Sequence, residues 1–494
     1  MSRQTMGQFL VGISASFCLL TLSAWSDGLP AGCESNWHQF RGPYSTGVAP
    51  QGNPPTTWDE QKNIQWKVEI PGRGLASPIV WGDRVFILTA IKTDREGAPT
   101  DAAAATSRPA QARLVAQVEE NSAQPPAENG PPQGERRDRA RRGRGGRRGG
   151  GGLGFGRGEL PTNIHEFVVM CLDRQTGETV WKQIACEVVP HEGHHGTGSF
   201  ASASPVTDGK NLYVSFGSRG IYSYDLEGNL RWKKDLGQMR IRLRFGEGAS
   251  PALYGDTLII NCDNEDQSFI TALDANTGET KWRVDRDEPS TWTTPLVREH
   301  SGRTQVIVNG STRARSYDLN TGEIIWECGG QAQGVVPTPV VYGDLALLMT
   351  GHRGAALYAI PLDSTGDITD TDKIAWTRDE GTPYVPSPLL YDDLLFFTKS
   401  NDAILTCVSP ETGEVKFENK RLEGLSNLYA SPVGAGDKIY ICGRDGTTLV
   451  LKKGPELEIL ATNHLGETID ATPAIVGDQI FIRGENHLFC IAED

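Results

Sequence analysis

Short apolar runs recur along most of the chain, many of them preceded by a tight glycine–aspartate turn. Val85-Phe86-Ile87-Leu88 follows Gly82-Asp83, and Leu258-Ile259-Ile260 follows Gly255-Asp256. Runs of this length bounded by turn residues predict β-strands. The strands fall into a repeating unit. A Ser/Thr-Pro pair opens it, a short apolar strand and a Gly-Asp turn follow, and a second apolar strand comes next. A third strand ends near Asp, as in Ala272-Leu273-Asp274; then comes Thr-Gly, and a fourth strand carries Trp. Glycine at such turns permits positive φ, and Asp accepts local backbone bonds.

The Ser/Thr-Pro pair occurs eight times, at Ser77-Pro78, Ser204-Pro205, Ser250-Pro251, Thr294-Pro295, Thr338-Pro339, Ser387-Pro388, Ser431-Pro432 and Thr472-Pro473. After the first interval the steps between prolines are 46, 44, 44, 49, 44 and 41 residues, and the first step of 127 holds an insertion. Four-stranded units at this period predict the blades of a propeller. The eighth unit stops after its third strand, while a spare strand, Asn63 to Ile70, precedes the first unit. An open solenoid would not need its last unit cut short by one strand. The chain is therefore expected to be all-β: an eight-bladed β-propeller over residues 63–494, closed by an N-terminal strand in the last blade. Trp66, Trp181, Trp232, Trp282, Trp326 and Trp376 are expected to be structural, buried between blades; Phe417 and Leu460 stand where two blades lack the tryptophan.

The run Ala272-Leu273-Asp274-Ala275-Asn276-Thr277-Gly278-Glu279-Thr280-Lys281-Trp282 resembles the tryptophan-docking repeat of the pyrroloquinoline-quinone-like (PQQ-like) propeller family. The resemblance covers residues 63–90 and 164–494. It extends to exported bacterial propellers of undefined role, many of which open with a motif like Trp37 to Pro43 here. The wider family holds quinoprotein dehydrogenases, which are enzymes, and the propeller lipoprotein of the β-barrel assembly machinery, which binds partners. Many quinoproteins carry an adjacent Cys-Cys disulfide over the cofactor. This chain has no adjacent cysteines, and the calcium-holding Glu, Asn and Asp set of those enzymes does not map onto it.

Charge and composition refine this picture. Arg3, the apolar run Phe9 to Leu22 and Ala24-Trp25-Ser26 read as a cleaved signal peptide over residues 1–26, followed by an N-terminal extension, 27–62. A lipoprotein site at Cys33 fits poorly, because Pro30 stands where such a site has Leu. No later apolar run is long enough to span a bilayer, so the mature chain is not expected to cross a membrane. The signal places it as exported, periplasmic or envelope-associated, and it is expected to be a monomer. The net charge is −14. Residues 91–163 carry thirteen basic and nine acidic side chains, which with Arg3 leaves −19 on the rest. An acidic body argues against nucleic acid as a partner. The 91–163 segment, Gly/Arg-rich from Arg136 to Arg157, is expected to be a disordered insertion within blade one. Its basic tract suits an anionic envelope polymer or lipid head groups. The cysteines after the signal are expected to be mostly buried thiols, since Cys171 and Cys407 share a repeat position with small residues.

The strand order places the Gly-Asp and Thr-Gly turns on one rim and the long loops on the other. Function concentrates on such loops. His191, His194 and His195 precede blade two; Arg240, Arg242, Arg244 and Glu247 precede blade three; Trp292 precedes blade four; Tyr384 and Tyr429 precede blades six and seven. Convergent cationic, imidazole and aromatic groups suit an anionic or sugar-like ligand. His191-Glu192-Gly193-His194-His195 matches a zinc-protease pattern in letters, but Pro190, Gly193 and Gly196 exclude the helix that pattern needs, so no metal is expected. Asp263-Asn264-Glu265-Asp266 is expected to be a solvated acidic loop.

The expected function is a binding or assembly scaffold in the cell envelope, with an envelope protein or other ligand on the long-loop rim and no cofactor. The alternative implied by the resemblance is a dehydrogenase using pyrroloquinoline quinone with calcium on alcohols or sugars. Deleting roughly residues 97–158 is expected to leave the melting temperature nearly unchanged, because a long surface loop adds little closure entropy per residue. The same deletion should weaken salt-sensitive binding to anionic polymers or vesicles. A deletion that unfolds the propeller would contradict this.

Overall fold

The computed structural model describes residues 28–98 and 158–493. The signal-peptide reading and the Gly/Arg tract lie outside the described residues. Within them the strands form eight sheets, seven of four strands and one of five. Their order matches eight blades of an all-β propeller. Blade eight is built from Ala474–Val476, Gln479–Arg483 and His487–Ile491, and takes its fourth strand from Ile64–Glu69. That strand runs antiparallel to the third, with Ile64 opposite Ile491 and Glu69 opposite His487. The register joins the two ends of the chain and leaves no open edge at the seam.

The tryptophans show how one blade sits on the next. The indole Nε1–H of Trp66 donates to the Arg174 carbonyl at 2.9 Å, Trp181 to Leu226 at 2.8 Å, Trp232 to Ala275 at 2.9 Å and Trp282 to Leu319 at 2.7 Å. Each acceptor belongs to the turn between strands three and four of the following blade. The glycine of that turn lies flat under the indole: a Cβ on Gly278 would stand 2.7 Å from Trp232, and one on Gly322 would stand 2.8 Å from Trp282. The Thr-Gly turn is thus required by the neighbouring ring as much as by its own positive φ. The two blades that lack the tryptophan, at Phe417 and Leu460, face neighbours that lack the Thr-Gly turn. At the second of these seams Trp58 from the extension is buried, stacked on Tyr440 at 6.2 Å, and its backbone N–H donates to Asn463 Oδ1 at 2.9 Å. Trp326 is fully buried for another reason. Blade five has a long connection instead of Thr-Gly, and part of it, Gly366–Asp367, adds a fifth strand against Trp326 and Glu327.

The Ser/Thr-Pro pairs explain themselves at the axis. The backbone N–H of Ser77 donates to Ser204 Oγ at 2.9 Å, Ser204 to Ser250 at 2.9 Å and Ser250 to Thr294 at 3.1 Å. The relay resumes from Thr338 to Ser387 at 3.1 Å, Ser387 to Ser431 at 2.9 Å and Ser431 to Thr472 at 2.9 Å. Six of the eight blades thereby satisfy a buried N–H at the head of the blade before them.

The extension is part of this architecture. It crosses the Gly-Asp rim and bonds to the innermost strands or turns of six blades. Trp37 exchanges both backbone bonds with Val80, the N–H of Thr207 donates to His38, and that of Gly255 to Gly28. Leu390 donates to Thr46, Gly434 to Gly47, and Asn53 donates to Gly477. Arg41 is fully buried, with its guanidinium donating to the carbonyls of Pro432 at 2.7 Å and Pro388 at 2.6 Å. Gly47 must be glycine here, because a Cβ would lie 2.2 Å from Arg41 Nη2.

Two expectations need adjustment. The second strand of blade one runs to Glu96 and the third begins at Asn163, with Ile91 paired to Glu166 and Lys92 to His165. The first residues assigned to the insertion are therefore strand, because the apolar run continues into an alternating one, Ile91 to Glu96, that stays paired through a register shift between Lys92 and Glu96. The acidic loop at 263–266 is not solvated throughout. Asp263 and Asn264 are buried, since Arg286 reaches across to bind Asp263 at 2.7 and 3.2 Å. The described cysteines are free thiols, all buried except the half-buried Cys186.

Replacing Trp282 with Ala should cost about 3–5 kcal/mol in urea unfolding, because it removes a buried aromatic and leaves the Leu319 carbonyl without its donor. A loss below about 1 kcal/mol would show that the indole does not hold the blades together.

Candidate functional site

The propeller axis holds a cavity of ≈ 540 Å³. Phe40 of the extension reaches it from the Gly-Asp side, the Ser/Thr relay encircles it, and the long loops rise around its mouth. Five sequence-derived candidates meet there: His195, Glu247, Trp292, Tyr384 and Tyr429. The segment returning at Gly158 is on the same rim, since its N–H donates to the Leu243 carbonyl at 3.1 Å.

The other five candidates are not among the residues that line the cavity. His191 has both ring nitrogens engaged. Arg219 Nη1 approaches Nδ1 at 2.6 Å and can only donate, so Nδ1 accepts and the Nε2–H donates to the Met239 carbonyl at 2.9 Å. This holds the ring neutral, and burial, reinforced by the Arg219 charge, pushes it down to about 4. His194 Nδ1 bonds to the His195 carbonyl, and its ring packs edge-on against Phe200 at 4.6 Å. Arg240 pairs with Asp266 at 3.1 Å. Arg242 and Arg244 bracket a short 3-10 turn in which Leu243 and Arg244 have positive φ. The histidine cluster is therefore split three ways by the loop, and only His195 faces the axis.

Sequence reasoning missed Phe245, His352, Asn401, Asn427, Arg444 and Asp470, all of which line the cavity. His352, Asn401 and Arg444 sit on the short loops between second and third strands. Those loops belong to the same rim, so the strand order that singled out the lead-in loops pointed equally to these. Together the residues make two aromatic walls. On one side His195 stands edge-on to Phe245 at 4.9 Å, Phe245 lies 6.5 Å from Trp292, and Trp292 Nε1 donates to the Gly246 carbonyl at 2.7 Å. On the other, His352 stacks on Tyr384 at 4.4 Å, and the Arg444 guanidinium lies over the Tyr429 ring at 4.2 Å. Thr197 links the walls. Its N–H donates to His195 Nδ1, and its hydroxyl donates to Tyr429 at 3.3 Å.

Charges at the mouth are matched. Arg444 grips Asp470 through two bonds, at 2.5 and 3.1 Å. Glu247 accepts the Ser218 N–H at 2.6 Å; burial raises its pKa, and the Arg219 charge opposes that shift. Burial likewise lowers His195 and His352, with help from nearby Arg444 and Arg353 respectively. The donor set does not suit calcium held with pyrroloquinoline quinone, a tricarboxylate. The guanidinium on the cavity wall is already neutralised by Asp470, and among the described residues no three His, Cys, Asp or Glu side chains converge as metal ligands.

The depressed histidines make stability pH-dependent. His191 is neutral in the fold down to about pH 4 but takes up a proton near pH 6.5 when unfolded. Its contribution is thus fully present above pH 6.5 and is lost as pH falls from there toward 4. The urea midpoint should fall between pH 6.5 and 4.5. His191→Gln, which keeps one donor and one acceptor, should flatten that slope by at most about 1.4 kcal/mol per pH unit. A slope identical to that of the parent protein would contradict the neutral, doubly bonded ring.

No curated protein matches the sequence. Among solved structures, BamB from Moraxella catarrhalis is similar at 16% identity over 66% of this chain and 93% of its own, with a TM-score of 0.47. The quinohemoprotein alcohol dehydrogenase of Comamonas testosteroni is similar at 10% identity over 94% of this chain and 81% of its own, with a TM-score of 0.56. Quinohemoprotein alcohol dehydrogenase ADHIIG from Pseudomonas putida HK5 gives 10% identity, 95% and 81% coverage, and a TM-score of 0.55. At these identities the two dehydrogenases share the propeller fold and nothing more is carried over. A family model described as outer membrane protein assembly factor BamB matches residues 165–419, half of the sequence, and the chain belongs to that family.

Proposed function

We propose that this chain is an exported binding scaffold of the cell envelope, and that its central cavity takes a saccharide-like ligand from the long-loop rim. The observation that carries the reading is the asymmetry of the axis. One rim is crossed by the extension, and the other opens through two aromatic walls into a cavity of ≈ 540 Å³. Small-molecule sites have this size, with apolar walls and a few placed polar groups. The aromatic faces of Trp292, Tyr384 and Phe245 suit the C–H faces of a sugar ring. Asn401, Asn427 and Asp470 supply hydrogen-bonding groups for its hydroxyls. Membership of the outer membrane protein assembly factor family supports a scaffold at the envelope, and no described helix is long and apolar enough to cross a membrane.

A panel of neutral and acidic mono- and disaccharides tests this by thermal shift and calorimetry. At least one should stabilise the folded protein, by ~2.7 kcal/mol when present at about a hundred times its Kd. Replacing Trp292 and Tyr384 together with Ala should weaken that ligand at least about tenfold, which is ~1.4 kcal/mol. No stabilisation by any sugar, or stabilisation untouched by the double substitution, would contradict the assignment.

A further inference from the structure

The floor of the cavity has a chemistry its mouth lacks. Six hydroxyls of the axial relay, on Ser204, Ser250, Thr294, Ser387, Ser431 and Thr472, each accept a backbone N–H from the preceding unit. An oxygen that accepts in this way keeps its own hydrogen to donate. Among the described residues none of the six donates to a protein acceptor, and all six line the cavity. The relay is thus a ring of hydroxyl donors around the axis.

Beside this ring lies a charge without a counterion. Arg41 is fully buried, and its guanidinium donates to the carbonyls of Pro388 and Pro432, the residues that directly follow Ser387 and Ser431. Its third acceptor is the Thr46 carbonyl, and its Nε–H has no partner among the described residues. No carboxylate approaches it within ion-pair distance there. Burial pushes it down to about 9, which still leaves it a cation at neutral pH. Arg41 itself is not on the cavity wall; of the charged groups that are, Arg444 is paired with Asp470, and the Arg219 charge opposes the burial shift of Glu247. The acidic outer surface is screened beyond roughly 10 Å at ordinary ionic strength, whereas a buried charge is screened little. An isolated buried cation is costly unless something of opposite sign sits near it.

We infer that the floor of the cavity is a monoanion site, and that the saccharide is an acidic one whose carboxylate enters the hydroxyl ring next to Arg41. This rests on the cavity being the ligand site. Carboxylate oxygens only accept, which matches a ring that only donates, and one negative charge matches one unpaired guanidinium. The sugar ring would then lie higher, between the aromatic walls. The extension accordingly has a second role: besides crossing the rim, it carries the charge that selects the ligand.

Calorimetry with glucuronate, glucuronamide and glucose separates the two claims. Glucuronate should bind at least about tenfold more tightly than the amide or glucose, and Arg41→Met should erase that preference. Where Arg41→Met fails to fold, the comparison of the three ligands on the unaltered protein stands alone. Equal affinity for acid and amide would overturn the anion site while leaving the cavity reading intact. Bromide-soaked crystals give an independent readout, with an anomalous peak expected against the ring hydroxyls. If no sugar binds at all, the saccharide reading falls and the bromide map alone decides the anion site: a peak in the ring supports it, and an empty ring overturns it.

Discussion

The structure depends on a hydrogen-bonded relay around the axis. A propeller has to bury the start of every innermost strand where the blades crowd together, and a buried N–H without an acceptor costs about 1–3 kcal/mol. Here a Ser or Thr hydroxyl at the head of six of the eight innermost strands supplies the acceptor for the blade before it, as Ser204 does for Ser77. The proline that follows has no N–H of its own to satisfy. At the periphery the indole of one blade performs the matching task on the turn of the next, as Trp232 does on Ala275. Inner and outer contacts together fix the spacing between blades. What faces the lumen is hydroxyl hydrogens and aromatic faces, with the buried Arg41 guanidinium behind the ring on the carbonyls of Pro388 and Pro432.

Much of this architecture was legible because it repeats. The Ser/Thr-Pro pair is visible at eight positions, including units where the Gly-Asp turn, the Thr-Gly turn or the Trp is missing, and the count of strands requires closure by residues 63–70. What does not repeat was harder to read. Trp58 fills a seam where Leu460 cannot, and nothing local in the sequence announces a contact with Tyr440. Blade five replaces its turn with a strand against Trp326, which hydrophobic patterning over Gly366–Asp367 cannot show.

The site was legible by rim more than by residue. Strand order places the long loops on one side, and Tyr384, Tyr429, Trp292, Glu247 and His195 do gather there. Polar residues on those loops have two ways to be satisfied, toward the lumen or into the wall, and sequence does not distinguish them. His191 turns into the wall because Arg219 and the Met239 carbonyl saturate both its nitrogens. Arg240 turns outward to Asp266. Arg444 was overlooked because its loop is short, yet that shortness is what holds it over Tyr429 and against Asp470. Arg41 was legible as part of an opening motif and not as a charge at the floor, since only the folded ring brings residues 388 and 432 to it.

The ring that holds the blades together also lines the cavity proposed to bind the ligand. The extension gives that cavity a floor, and the family supports a place at the envelope for it. The most direct test is a crystal structure of the protein with a bound acidic sugar. The account predicts density on the propeller axis, with the sugar ring between Trp292 and Tyr384 and its carboxylate directed down toward Ser387, Ser431 and Arg41. Density on the outer strands or on the Gly-Asp rim, with the axis holding only water, would contradict it.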